Sequence, residues 1–231
     1  MFKFDTRFFN KNLGSSQRYT AFTLAEILIV LGIIGIVAEM TIPTLINGIY
    51  KKDTVVKLKK SYSILAQATE QISNDCGGNL MYCLTNPDSA DNDATTRQEL
   101  TNLYKAKLSI VKDCTDGVTT KCFADTTYKL LQGNPWINYD THFAYDRSRF
   151  ILSDGVAVSI DWNGARNFFV MLDINGIKKP NWVGKDLFYL YYDPTTTKAT
   201  LKPGDANDCS LSGNGTGCAA KIIQEDAITF Y

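Results

Sequence analysis

Between residues 22 and 50 the chain reads FTLAEILIVLGIIGIVAEMTIPTLINGIY, and an acid, Glu26, stands almost at the head of this apolar run. Residues 27–38 carry no charge, Glu39 interrupts once, and residues 40–50 are again uncharged. The stretch exceeds the ~20 apolar residues that a membrane-spanning helix needs. A carboxylate in hydrocarbon costs ~2.5 to 3.5 kcal/mol on insertion scales and persists where it has a partner or a purpose. Glu26 is therefore a functional candidate before anything else is read.

Residues 1–21 are polar and basic, with no periodicity that builds a core element, and read as a leader. An ordinary secretory signal places its small-residue cleavage site after the apolar run, whereas here Ala21 comes immediately before it. Cleavage at that point leaves the hydrophobic segment on the mature chain. Residues 22–50 then form a transmembrane or assembly helix, and residues 51–231 form one globular domain. The chain has 24 basic and 24 acidic residues, and loss of the leader leaves 20 against 23. Nothing in that balance points to nucleic acid, and none is assigned as a partner.

The six cysteines fall as Cys76 with Cys83, Cys114 with Cys122, and Cys209 with Cys218. No CxxC occurs, and the single histidine, His142, supplies too few nitrogen ligands for a zinc site, so the disulfide reading is preferred. Six cysteines allow 15 connectivities, among which we pair neighbours. Each loop of this size contributes ~2.5 kcal/mol in the chain-entropy model and persists in an oxidising compartment. The domain is thus expected outside the cytoplasm.

The helix is expected to run on past the membrane over residues 22–75, because Leu58, Tyr62, Leu65, Thr69 and Ile72 recur at spacings of four and three. That is ~80 Å, longer than any bilayer, so the outer half must pack on something else. Cys76-Gly77-Gly78 supplies a stop. Pro43 frees the carbonyl of Glu39, which predicts a kink or local unwinding. Thr96-Arg97-Gln98-Glu99 reads as a capping box, followed at helical spacing by Leu100, Leu103, Tyr104, Leu108 and Val111. Further on, the period changes to two. Residues 150–153, 156–162 and 167–173 make a meander turned at Asp154-Gly155 and Asn163-Gly164, with 187–192 a fourth strand. The fold class is α+β, a long N-terminal helix whose outer half lies on a C-terminal antiparallel sheet.

Ala21, Phe22, Thr23, Leu24, Glu26, the apolar run and Pro43 together resemble the amino terminus of type IV pilins and of the pseudopilins of type II secretion systems. The motif covers about 25 residues; the rest of the chain matches in general architecture, with Asp154-Gly155 and the run DINGIKKPNWVGKD similar to the pseudopilin sheet and carboxy-terminal loop. The resemblance implies that a prepilin peptidase cuts between Ala21 and Phe22 and methylates the new amine of Phe22. It implies a single-pass subunit in the bacterial inner membrane, its domain extracytoplasmic, that joins other subunits in a pilus or pseudopilus through an inner-membrane assembly platform. Such a chain is a structural subunit and not an enzyme.

Beside the resemblance, a free amine at Phe22 and a carboxylate at Glu26 are each costly in lipid, and pairing them between neighbouring subunits cancels both charges and sets register. Gly32 and Gly35 allow helices to approach closely. The competing reading is a membrane-anchored binding or adhesion protein that does not polymerise. Asp173, Asn175 and Asp186 match oxygens of the calcium loop in major pseudopilins; by themselves they are too few, and Asp-x-Asn-Gly is also an ordinary Asx turn, so no metal or other cofactor is assigned. His142 lacks a nucleophile context for catalysis. The lysines at 51, 52, 57, 59 and 60, and Lys178-Lys179, read as solvated faces.

Overall fold

The computed structural model describes residues 22–91, 93–114, 121–138, 148–194 and 200–231. The chain divides into two compact units, Met1–Ile46 and Asn47–Tyr231. Helix α1 (Leu24–Asp75) belongs to both.

In the first unit α1 is apolar on every side, and its large side chains lie in the open, from 46 % exposed at Ile27 to 80 % at Leu24. A helix hydrophobic all round belongs inside a core or a membrane, and among the described residues α1 is the helix long and apolar enough to cross one. It runs unbroken through Pro43, so the local unwinding expected there does not occur. Proline removes one backbone bond, and hydroxyls hold carbonyls on its flanks: Thr41 Oγ1 donates to Val37 O at 2.9 Å and Thr44 Oγ1 to Thr41 O at 2.8 Å.

In the second unit α1 becomes one-sided. Leu58, Leu65, Thr69 and Ile72 are buried, and the partly buried Tyr62 donates its phenol proton to Leu201 O at 3.2 Å. The helix stops where expected, with Gly77 and Gly78 at φ 77° and 106°. The amide of Gly78 reaches back to Ser73 O at 2.7 Å, closing carbonyls that the helix leaves open.

A six-stranded antiparallel sheet follows. Its strands are β1 (Ile110–Asp113), β4 (Ser148–Leu152), β5 (Ala157–Trp162), β6 (Phe168–Asp173), β7 (Leu187–Asp193) and β8 (Thr200–Lys202), paired in that order. The four expected strands are its centre, and in register Val158 faces Phe150 and Leu172, while Val170 faces Ile160 and Leu190. Those side chains join Leu58, Leu65 and Ile72 in one core. The alternate residues, Ala157, Met171, Leu187 and Tyr189, bury in a second core on the other face. That core is built from Phe123, Tyr128, Leu130, Ile137 and the Cys114–Cys122 disulfide, and includes the small ribbon β2 (Thr127–Lys129) and β3 (Pro135–Asn138). The one-faced sheet expected from alternation is therefore covered on both faces.

Helix α2 (Ala94–Lys105) begins one turn earlier than its expected cap. Asp93 accepts from the Thr96 amide at 2.8 Å, while Glu99 turns away to take the amide and hydroxyl of Thr85. Asp93 is as good a cap as Thr96, and Glu99 found a donor outside the helix. Val111, expected on this helix, lies in β1 with its side chain exposed. A third helix, α3 (Cys218–Glu225), packs Ala219 and Ile222 into the first core. All three disulfides join sequence neighbours: Cys76–Cys83, Cys114–Cys122 and Cys209–Cys218.

Leu65 is fully buried between α1 and the sheet. Leu65→Ala should lower the unfolding free energy by about 3 kcal/mol, transfer and cavity terms together. Urea unfolding of the full chain in detergent, followed by tryptophan fluorescence, should show an earlier midpoint with an unchanged slope.

Candidate functional site

Two places gather functional side chains, one in each unit. At the head of α1, Thr23 is the N-cap and Glu26 the third helical residue. The amide and hydroxyl of Thr23 both donate to Glu26 Oε2 at 2.8 Å, and the Glu26 amide donates to Thr23 Oγ1 at 3.2 Å. This is a reciprocal capping box, and it leaves Oε1 without a partner among the described residues. Thr23 was legible as such from the spacing Thr-x-x-Glu, which a reading confined to charge passes over. Phe22, 81 % exposed, precedes it. Ala21, the residue expected before the cleaved bond, and His142 lie outside the described residues.

The second place lies between β6 and β7. The pairing of Asp173 with Leu187 brings Asp173, at the end of one strand, beside Asp186, just before the next. Both are wholly buried. Asp173 Oδ2 accepts the Tyr128 phenol at 2.6 Å, and Oδ1 accepts the Asn175 amide at 3.2 Å. Asp186 Oδ2 accepts the Asn181 amide at 2.6 Å, and Oδ1 accepts that of Trp182 at 2.7 Å. Asn175 Nδ2 donates to Asp186 Oδ2 at 3.2 Å and to Lys179 O at 3.0 Å. Asn175 thus ties the loop together. Tyr128, from the far side of the second core, had no signal in the sequence.

Burial pushes the Asp186 carboxyl up to about 6. Burial, and then the charge of Asp186, holds Asp173 well above the usual carboxylate range. The donors around the pair are neutral amides and a phenol, and the side-chain oxygens of Asn175 and Asn181 are buried without a hydrogen bond. In kind, these oxygens suit a hard cation. In the arrangement described, the Asn175 NH₂ faces Asp186 and hydrogen bonds close the cluster. Among the described residues no group of three or more His, Cys, Asp or Glu side chains is placed to hold a metal.

The lysines that follow the apolar run are largely engaged. Lys57 pairs with Asp53 at 2.9 Å, Lys59 with Asp226 at 2.7 Å and Lys60 with Asp154 at 3.2 Å. Lys178 and Lys179 are exposed. Comparison with family models, with curated proteins and with solved structures finds no match to this chain.

Carboxyls whose folded pKa is raised stabilise the fold fully below their unfolded value of ~3.9, and that contribution is lost as pH rises through the folded value. In chelator-treated protein, stability should therefore fall as pH rises through about 6, where Asp186 titrates. Asp186→Asn should flatten that slope whatever it does to absolute stability, and the difference between the two slopes removes the contribution of His142. Urea midpoints across a pH series at fixed ionic strength measure it.

Proposed function

We propose that this chain is a pilin-like structural subunit, cut between Ala21 and Phe22 by a prepilin peptidase, methylated at Phe22, and assembled through its N-terminal helix into a type IV pilus or a type II secretion pseudopilus. Before assembly it rests in the bacterial inner membrane as a single-pass protein, with its disulfide-bonded domain outside the cytoplasm. It works by assembly and not by catalysis. Its partners are the peptidase, the assembly platform, membrane lipid and neighbouring subunits.

The observation that carries this reading is Glu26. It is the acid at the head of a helix whose large apolar side chains are exposed over residues 24–46, and one of its oxygens is fixed by Thr23 while the other is open. After cleavage, the amine of Phe22 on a neighbouring copy is a cation of the right kind to take that oxygen, and the pair removes two charges from hydrocarbon. Pairing at one point gives a bundle of featureless apolar helices a defined register. Three neighbour-paired disulfides suit an oxidising compartment.

Two measurements test it. Mass spectrometry of the protein purified from cells with an active peptidase should find a methylated Phe22 terminus, and an intact Met1 terminus would overturn the reading. Glu26→Ala and Glu26→Gln should both abolish filaments or secretion with normal membrane insertion. The amide keeps a capping acceptor and loses the charge, so loss in both variants assigns the effect to charge. Function unchanged in both would leave a membrane-anchored binding protein that does not polymerise.

A further inference from the structure

Away from the sites above, the domain carries a groove whose lining changes character along its length, between the residues leading into β2 and the 177–182 loop. It consists of two adjoining clefts of about 400 and 410 Å³ that share Thr126, Lys179 and Asn181. Its walls are held by hydrogen bonds. The Lys129 amide donates to Asn181 O at 3.1 Å and the Val183 amide to Lys129 O at 2.8 Å, while Asp186 takes the amides of Asn181 and Trp182. A groove already in shape lowers the ordering cost of binding.

The first cleft is polar and cationic. Lys129 and Lys179 line it beside Thr127 and Trp182, and both lysines are exposed with no carboxylate partner among the described residues. The acids close by are already engaged, Asp125 by Lys121 and Asp186 by the two amides. The second cleft is largely apolar, lined by the buried Phe123 and Ala124 and by Ile177, which is 66 % exposed.

We infer that this groove takes an extended peptide of a partner protein in which an acidic side chain and a bulky aliphatic one stand two residues apart. Alternate residues of an extended chain project to the same side ~6.6 Å apart. The pattern acid, any residue, aliphatic therefore puts a carboxylate on Lys129 and Lys179 and an apolar side chain against Ala124 and Ile177. Thr126, exposed where the clefts meet, offers its hydroxyl to the peptide backbone between them. Other ligands match only part of this lining. A small inorganic anion leaves the apolar cleft wet. A nucleic-acid strand needs a track of free cations and ring faces for its bases, and a sugar needs an indole face to stack on. Here Lys185 lies over the Trp182 ring at 3.8 Å and Lys129 over it at 5.5 Å. The groove lies wholly within the second unit, so the inference stands whether or not the chain polymerises.

The test uses the full chain in detergent and the fluorescein-labelled peptide Gly-Glu-Ser-Leu-Gly-amide. Binding is read by fluorescence polarisation at about 0.15 M salt, against a protein-free detergent blank. Replacing Glu by Gln in the peptide, or Leu by Ser, should each weaken binding by about tenfold, the effect of losing a bond to a charged group or the burial of one aliphatic side chain. Lys129→Glu combined with Lys179→Glu should weaken the parent peptide likewise and instead bind the peptide carrying Lys in place of Glu, a reversal that misfolding cannot produce. Ile177→Ser should erase the preference for Leu over Ser and leave that for Glu over Gln. Equal binding of the Glu and Gln peptides, no reversal in the double variant, or an unchanged Leu preference in Ile177→Ser would overturn the site. So would displacement of the peptide by equimolar inorganic phosphate, an acidic trisaccharide or an oligothymidylate, which would assign the groove to a simple anion, a sugar or a nucleic acid.

Discussion

The domain depends on burial of the central sheet from both sides. On one face Val158, Ile160, Val170, Leu172, Phe188 and Leu190 meet Leu58, Leu65 and Ile72 of α1; on the other, Met171, Leu187 and Tyr189 meet Phe123, Tyr128 and Ile137. Neither cover is large by itself. The helix contributes a single stripe, and the second layer is a three-residue strand, a four-residue strand and loops. Loops of that kind lose much conformational entropy on ordering, and the Cys114–Cys122 disulfide cuts the loss by constraining the unfolded chain. The Cys76–Cys83 and Cys209–Cys218 bonds act likewise beside the first core, at the end of α1 and the start of α3.

Two-sided burial also explains why the acid pair is so costly. Asp173 ends β6 and Asp186 immediately precedes β7, and both are wholly buried, so the end of the sheet places two carboxylates where water does not reach. The fold meets that cost with donors. Four backbone amides and side chains converge on Asp186 and Asp173 from the 175–182 loop, and Tyr128 crosses from the opposite layer. Each bond to a carboxylate is stronger than a neutral one, yet none brings positive charge. The loop conformation and the protonation of the pair are thereby linked, since the N–H donors are arranged around oxygens that must keep their lone pairs.

What could be read from the residues is what repeats. The stripe at 58, 62, 65, 69 and 72 announced the packed face of α1, and alternation at 156, 158, 160 and 162 announced the central strands, because both follow from local geometry. The neighbouring cysteines were equally legible. The edge strands β1 and β8 and the β2–β3 ribbon were not, since three- and four-residue strands carry too little period to register. The second core escaped for a different reason. Its sheet residues alternate with the first core's, as Ala157 does with Val158, so they look like a solvent face, and Ala157 is buried in a cluster with Phe123 and Tyr128 that only the tertiary fold assembles. At the candidate sites, charge in an apolar run exposed Glu26, and local spacing exposed the Asp-x-Asn-Gly turn. The joining of Asp173 to Asp186 required the β6–β7 register.

The capping box gives Glu26 a place as well as a charge. The first-turn amides of a helix have no intrahelical acceptor, and in hydrocarbon each unsatisfied amide costs several kcal/mol. Thr23 and Glu26 satisfy two of these amides reciprocally. The carboxylate also stands at the positive end of the helix dipole, which favours an anion there and nowhere else along the run. An acid one turn further in would gain none of this. On the reading proposed here, the same position serves both states of the subunit. In the single copy, Oε2 holds the start of the helix together and keeps the acid tolerable. In the assembly, Oε1 is the side of the carboxylate that a neighbouring amine reaches without breaking the cap. A purely structural cap explains the first and leaves the second oxygen without a role, whereas a purely electrostatic contact leaves Thr23 unexplained. The two together account for both residues.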